Sequence, residues 1–385
     1  MNLLETPWDV LSPLIIWALG LLTIRYIGKR LGSTPRRSML LYSWHTFICF
    51  AYLYYSLSNS ADSIQYYLAA QEGLPKFRWG TNAVTYSNYI LVTSLHLSYL
   101  SCFLVYNAIG SIGFIAFDAL IRSLPYLSNP FNLNLANLLI FLPSISFWSS
   151  AIGKDAIAFT AAILALRASL SLSSRWPLAA VSLLLMFLVR PHIGALLLIS
   201  FFFVLNVSFF GKKTFFTNLV ILIVIIFASA SLFPLAIQYS GLEGDLSTDA
   251  IQSYVEERQG LNQEGAGGID ISSMQLPMQL FSYLLRPLFF DGISFLTIIA
   301  SAENLLILSI FLLSVRHFSR GWRPVMNTPT MFLIFYSFTA WIILASTTAN
   351  LGIALRQKWM FLPFLIYLAM SLSPRQVRNI QGPLL

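Results

Sequence analysis

Leu219-Val-Ile-Leu-Ile-Val-Ile-Ile-Phe-Ala-Ser-Ala-Ser-Leu-Phe233 carries no charged residue and does not alternate between polar and apolar side chains. A strand facing lipid on one side and a polar lumen on the other would alternate. A helix closes every backbone hydrogen bond within its own segment, which hydrocarbon demands. Leu305 to Leu313 repeats the pattern. A stretch near twenty apolar residues matches the roughly 30 Å of hydrocarbon that a helix must cross.

By the same criterion, spans are expected near 10–28, 39–57, 87–107, 134–151, 155–171, 176–190, 193–210, 216–236, 295–315, 329–348 and 357–373. The chain thus reads as all-α, a polytopic transmembrane helical bundle of about eleven spans, roughly ten to thirteen, in a single transmembrane domain over residues 1–385. The segments 155–171 and 176–190 are short enough to tilt or re-enter. Residues 109–124, with Asp118 and Arg122, read as an interfacial helix or an extra span. Composition agrees: 57% of the residues are hydrophobic and only 10% charged, against about a quarter charged in soluble domains.

The net charge of +8 does not point to nucleic acid, because the basic residues gather at segment ends. Arg25, Lys29, Arg30, Arg36 and Arg37 crowd one loop; Arg167 and Arg175 flank another, and Lys212 with Lys213 a third. Arg316, Arg320 and Arg323 mark a fourth, and Arg375 and Arg378 the tail. With eleven spans all fall on one side, which the positive-inside rule makes cytoplasmic. The expectation is a multi-pass plasma (inner) membrane protein with its N-terminus outside and its C-terminus cytoplasmic. Glu5 and Asp9 precede the first apolar segment and Arg25, Lys29 and Arg30 follow it, the reverse of a secretory leader. Cys49 and Cys102 lie in apolar stretches without disulfide or metal spacing. His45, His96 and His317 read as packing or interface residues.

Two outer segments are expected. Residues 58–86, with short helices, hold Asp62, Tyr66, Tyr67, Glu72, Lys76, Arg78 and Trp79. Residues 237–277 are acidic and flexible around Gly260, Gly265, Gly267 and Gly268. The second is either a solvated loop or one that orders over a substrate.

Ionisable residues at membrane depth are functional candidates by default. Asp62, Asp155, Arg190 with His192, Arg286, Asp291, Glu303, Arg356 and Lys358 all fall at or near the outer face in this scheme, implying a polar cavity open to the outside. Asp62 stands four residues before Tyr66, so both can share a helix face; a carboxylate beside an aromatic ring suits a sugar, and an Asp at a helix start also suits an N-cap. Asp155 closes Pro143-Ser-Ile-Ser-Phe-Trp148-Ser-Ser150-Ala-Ile-Gly153-Lys154-Asp155, either as a site residue or as a helix-start carboxylate. Arg190-Pro191-His192 is either a plain loop or a phosphate-binding cation, since arginine offers a planar fork. Arg356 and Lys358, in Asn350-Leu-Gly352-Ile-Ala-Leu-Arg356-Gln-Lys358-Trp359, bind substrate or snorkel to headgroups. Arg286-Pro287 and Asp291-Gly292 suit a re-entrant piece.

Asp62-Ser-Ile-Gln-Tyr66-Tyr67 after an early span, and Pro143…Trp148-Ser-Ser…Lys154-Asp155 beyond it, resemble the multi-spanning glycosyltransferases of the C-type (GT-C-like) fold, over roughly residues 39–170. Arg190-Pro-His192 and Asn350…Arg356-Gln-Lys-Trp359 look similar to segments of bacterial exopolysaccharide membrane proteins, polymerases among them. The resemblance implies transfer of a sugar from a polyprenyl-phosphate carrier at the outer face. It makes Asp62 the catalytic or acceptor-binding carboxylate and Asp155 its supporting acid, with Tyr66, Arg190, His192, Arg356 and Lys358 binding substrate. A divalent cation stays open as a cofactor, with Asp62 and Asp155 as its carboxylates. The chain departs from the family in its extra N-terminal span, 10–28, and in lacking a large soluble C-terminal domain. The partners implied are the bilayer, a polyprenyl-phosphate sugar or lipid-linked oligosaccharide, and polysaccharide assembly proteins. A polysaccharide polymerase, a lipid-linked oligosaccharide transporter or flippase, and a non-catalytic assembly subunit are the other readings.

Overall fold

The structure is a computed structural model that describes residues 5–59, 61–73, 76–124, 129–209, 274–348 and 350–372. The described residues form helices and no strand. Six of these helical segments are long and apolar enough to cross a membrane: Pro7–Arg30, Tyr99–Arg122, Pro130–Ser149, Leu172–Val189, Phe295–Ser319 and Thr328–Thr347. The expected span at 216–236, nearly all of the acidic segment 237–277, and the basic tail lie outside the described residues.

The elements in order are α1 (Pro7–Arg30), α2 (Pro35–Ser58), α3 (Asp62–Gln71), α4 (Thr81–Tyr89), a π-helical turn (Ile90–Ser94), α5 (Tyr99–Arg122), α6 (Pro130–Ile140), α7 (Pro143–Ser149), α8 (Lys154–Ser169), α9 (Leu172–Val189) and α10 (Pro191–Phe209). After the undescribed stretch come α11 (Leu276–Leu285), α12 (Phe295–Ser319), α13 (Thr328–Thr347), α14 (Leu351–Gln357), a 3-10 turn (Lys358–Met360) and α15 (Leu362–Met370). Their starts are written locally. Thr6 and Asp9 make a reciprocal capping box before Pro7, and Thr34 caps α2 before Pro35. Ser294 and Asn327 cap α12 and α13 with their side chains. Each satisfies an amide that the helix itself leaves open.

Several expected spans are redrawn. The segment 87–107 is not one helix: it breaks at Leu95–Ser98, where His96 adopts φ 49°. The membrane-length helix is α5, which begins twelve residues later than expected at Tyr99 and absorbs the whole of 109–124 up to Arg122. The window 134–151 is interrupted before Pro143, whose ring prevents the helix from continuing unbroken. The window 176–190 starts earlier, at Leu172, with a kink at Arg175 (φ −116°, ψ 21°) just before Pro177. The window 357–373 is a 3-10 turn followed by α15, of 9 residues, about 14 Å of helix.

Contacts divide the chain into two compact units. The first holds residues 1–120, 140–168 and 175–191. In it α2 and α5 run antiparallel, tied at three levels. Tyr99 Oη donates to Ser56 Oγ (3.0 Å) at one end. His45 Nδ1 lies 2.6 Å from Asn107 Oδ1, and Asn107 Nδ2 donates to Thr46 Oγ1 (2.9 Å), in the middle. Arg37 Nη2 pairs with Asp118 Oδ1 (2.7 Å) at the other end. Positions 37 and 56 on α2 are about 28 Å apart at the α-helical rise, close to the thickness of bilayer hydrocarbon. The Arg37–Asp118 pair and the Tyr99–Ser56 bond thus stand about one hydrocarbon thickness apart, with a hydrogen-bonded His45–Asn107–Ser149 cluster between them. His45 is buried there as a packing residue, its Nε2 2.9 Å from Ser149 Oγ.

The 16-residue α8 is wrapped rather than exposed to lipid: Ala156, Ala158, Ala161, Ala162, Ala165 and Ala168 are all buried. Small residues let α5 approach both α7 and α8 backbone to backbone. A methyl at Gly110 would fall 1.8 Å from the Ser149 carbonyl oxygen, and one at Gly113 2.8 Å from Thr160 Cα. Thr160 Oγ1 adds a bond to the Ile109 carbonyl (2.8 Å) across the same seam.

The second unit holds residues 121–139, 169–174 and 192–385. In it α15 packs against both α12 and α13. Ser314 Oγ donates to Ala369 O (3.0 Å) and Tyr336 Oη to Met360 O (3.3 Å). The Phe201 and Phe332 rings stack at 4.5 Å, joining α10 to α13. Trp341 Nε1 reaches the Leu280 carbonyl (3.1 Å), joining α11.

The Gly110 contact gives a direct test. Gly110→Ala should destabilise the protein by about 1–3 kcal/mol, the usual range for overpacking, because its new methyl meets a backbone oxygen that cannot rotate away. Thermal unfolding of purified protein in detergent measures it; an unchanged midpoint would mean that α5 and α7 do not meet so closely.

Candidate functional site

The residues expected to carry chemistry fall into two groups, one in each unit. In the first unit, four elements converge at the end of the helices opposite Arg37 and Asp118. α3 supplies Asp62 and Tyr66. Ala61 is its N-cap and no side chain caps it, so Asp62 is the first helical residue rather than a cap. Asp62 is exposed, whereas Tyr66, one turn on, is buried. The Tyr66 ring lies against Gly153, where an added Cβ would come within 3.9 Å of it.

The start of α8 brings Lys154 and Asp155. Lys154 Nζ donates to Thr81 Oγ1 (3.1 Å) at the start of α4. Gly80 precedes it with φ 89°, a conformation open to glycine, and its N–H donates to Leu188 O (2.8 Å) at the end of α9. Two residues later, Arg190 Nη2 donates to Asp155 Oδ1 at 2.5 Å. Arg190 is 5% exposed, and its Nε has no hydrogen-bond partner among the described atoms. A buried guanidinium with an unengaged N–H is costly and offers a ready donor to an oxyanion. Sequence separation hid this pairing: Asp155 and Arg190 were each visible, but nothing local joins residues 35 apart.

In the second unit, Lys358 does not snorkel. It is fully buried and donates to Asn304 Oδ1 at 2.6 Å. Asn304 Nδ2 in turn donates to the Pro287 carbonyl (2.9 Å). Glu303 and Asn304 are buried more than two turns into α12, about 12 Å from its start at the α-helical rise. Asn304 was missed in the sequence; the signal was a second polar residue beside Glu303 inside an apolar helix. Gln357 accepts from Tyr283 Oη and Thr348 Oγ1, both at 3.3 Å. Arg356 is half-buried in the last turn of α14, and His192 half-buried in the first turn of α10. Arg286 and Asp291 form an ion pair, with Arg286 Nε donating to Asp291 Oδ2 at 2.9 Å.

Among the described residues no group of three or more His, Cys, Asp and Glu side chains is placed to hold a metal ion. Asp155 already neutralises Arg190, so Asp62 and Asp155 alone make a poor donor set for a divalent cation. Comparison with family models, curated proteins and solved structures finds no match for this chain.

The Arg190–Asp155 pair predicts an asymmetry. Arg190→Met takes the paired guanidinium away from a mostly buried carboxylate and should cost about 3–5 kcal/mol. Adding Asp155→Asn should recover most of that loss. Unfolding midpoints of the two variants measure it; equal destabilisation by the single and double variants would show that the pair is not coupled.

Proposed function

We propose that this chain is a membrane glycosyltransferase, transferring a sugar from a polyprenyl-phosphate-linked donor to an acceptor at the outer face, in synthesis of a cell-surface polysaccharide or glycolipid. The observation that carries the reading is Arg190: a buried guanidinium with a spare N–H, bonded to Asp155 in the first turn of α8, while Gly153 just before that turn lies against the Tyr66 ring. An anion is the ligand such a donor suits, and an aromatic wall suits a sugar ring. In the reaction the acceptor hydroxyl attacks the anomeric carbon. The new carbon–oxygen bond forms as the bond to the carrier phosphate breaks, and the carrier leaves as a phosphate monoester. Asp62 takes the hydroxyl proton. Arg190 stabilises the charge that accumulates on the departing phosphate. Arg356 is the corresponding cation of the second unit. The polyprenyl tail stays in the bilayer, and assembly proteins of the polysaccharide would receive the product. Within this reading the helices adopt a GT-C-like arrangement of about eleven spans.

One observation favours a second reading, a lipid-linked oligosaccharide transporter. Asn304 and Glu303 lie well inside α12 rather than at its end, and the buried Lys358 reaches Asn304 there; carriers place polar sites at such depths.

Asp62→Asn decides between them. It should abolish transfer by purified protein, by roughly a hundredfold to ten-thousandfold, the usual worth of a general base. Since Asp62 does not cap α3, the variant should stay folded. Retention of most activity would remove Asp62 from the mechanism. A wild-type protein that transfers no sugar but moves a lipid-linked sugar across liposomes would establish the second reading.

Orientation is tested separately. We expect the loop containing Ser33 on the cytoplasmic side and the end of α3 outside, from the one-sided distribution of Lys and Arg. In intact cells an impermeant thiol reagent should label Glu72→Cys but not Ser33→Cys. The opposite pattern would invert the topology and move the site to the cytoplasm.

A further inference from the structure

Between α11 and α12 the chain makes a tight turn. Asp291 N donates to Leu288 O (2.8 Å), and Asp291 Oδ2 accepts from Leu288 N (2.7 Å). The Arg286 guanidinium closes the base of the turn on the same carboxylate. Every polar group that the turn uses points inward, and the Pro287 carbonyl is held from behind by Asn304. The large side chains that point outward are apolar. Phe289 and Phe290 occupy the two tip positions and are 53% and 79% exposed, while Ile293 and Phe295, just beyond, are 94% and 77% exposed.

Large apolar side chains do not cluster on a water-facing turn without a reason, and the helix that follows supplies one. Ser294 caps α12 directly after the turn, and α12 is one of the membrane-length helices. Ile298, Leu305 and Leu312 recur on it at seven-residue spacing and are 46%, 48% and 59% exposed. That spacing keeps them on one face, a lipid-facing stripe. The exposed turn is the upward continuation of that stripe.

We infer that residues 288–296 are a membrane-inserted wedge, with Phe289, Phe290 and Ile293 seated among the lipid chains of the leaflet where α12 begins. Phenylalanine and aliphatic side chains seat interfacial segments at the headgroup–acyl boundary, and an ion pair that folds the turn's charges back on themselves lets the tip enter it. The wedge fixes the depth of α12, and through Pro287, Asn304 and Lys358 it ties that depth to the interior of the second unit. The inference holds whether the protein transfers sugars or transports them.

The test uses the full chain in phosphatidylcholine vesicles. Cys49 and Cys102 are buried, so single substitutions Phe290→Cys and Ile293→Cys can be labelled with a polarity-sensitive fluorophore in the native background. Leu312→Cys serves as the lipid control and Glu72→Cys as the water control. The labels at 290 and 293 should be quenched by doxyl-labelled lipid as strongly as the label at 312, and be shielded from iodide. Iodide quenching equal to that at 72 would place the turn in water and overturn the proposal. Protection from both quenchers would overturn it too, because another part of the protein would then cover the turn.

Discussion

Hydrocarbon offers a polar group no partner except another part of the protein, and the described structure is arranged around that constraint. It explains why helices form, and it also explains how each break is closed. Where α1 starts, Thr6 and Asp9 satisfy each other's backbone groups. Where α14 starts, Asn350 accepts from the Gly352 amide. Where α9 ends, the Leu188 carbonyl is met by Gly80 from another segment. At these three points the freed backbone group finds a partner within the protein.

The same constraint separates the ion pairs by role. A buried pair contributes little net stability over an apolar packing, yet removing one partner is expensive. The Arg37–Asp118 pair, at one end of the first unit, ties α2 to α5, and Arg37 also lies over the Phe141 ring at 5.0 Å. Its donors and its apolar surface are used by the protein itself. Arg190 is different. One nitrogen is committed to Asp155 while Nε is buried with nothing to bond. A group desolvated and left short of a partner is poised for a ligand, which is why the two pairs, alike in composition, support different conclusions.

The sequence revealed what depends on composition over a window and hid what depends on one residue or on pairing across distance. Apolar runs located α1, α2, α12 and α13 closely, because many side chains contribute to each. The break at Leu95–Ser98 was invisible, since Leu95, Leu97 and the neighbouring Ile90 and Leu91 keep the window apolar while His96 alone turns the backbone. Pro143 and Pro177 were legible as breakers in principle, but the runs around them outweighed them. For the candidate site, Asp62, Tyr66, Asp155 and Arg190 could be named, because charges and rings stand out against an apolar chain. The Arg190–Asp155 bond and the role of Gly80 could not, because both join separate helices. Lys358 was ambiguous for a physical reason: a lysine near an expected span end has a long stem that usually reaches water, and only packing reveals that here it turns inward.

Lys358 also bears on how a charge is held inside the second unit. A lysine without water must be met by acceptors, and Asn304 provides one while passing its own amide to the Pro287 carbonyl. This chain of bonds runs from the 3-10 turn before α15, through α12, to the base of the turn at residues 287–291. Its members satisfy one another, so the cation ties the 3-10 turn before α15 and the turn after α11 to the interior of α12. In an enzyme working at one face that tie need only be rigid. In a carrier the same tie would have to open and close, and the buried lysine would have to find a second acceptor each time it did. The rigid role demands fewer partners from the residues described, which is why the group around Arg190 carries the functional reading and the group around Lys358 supports it.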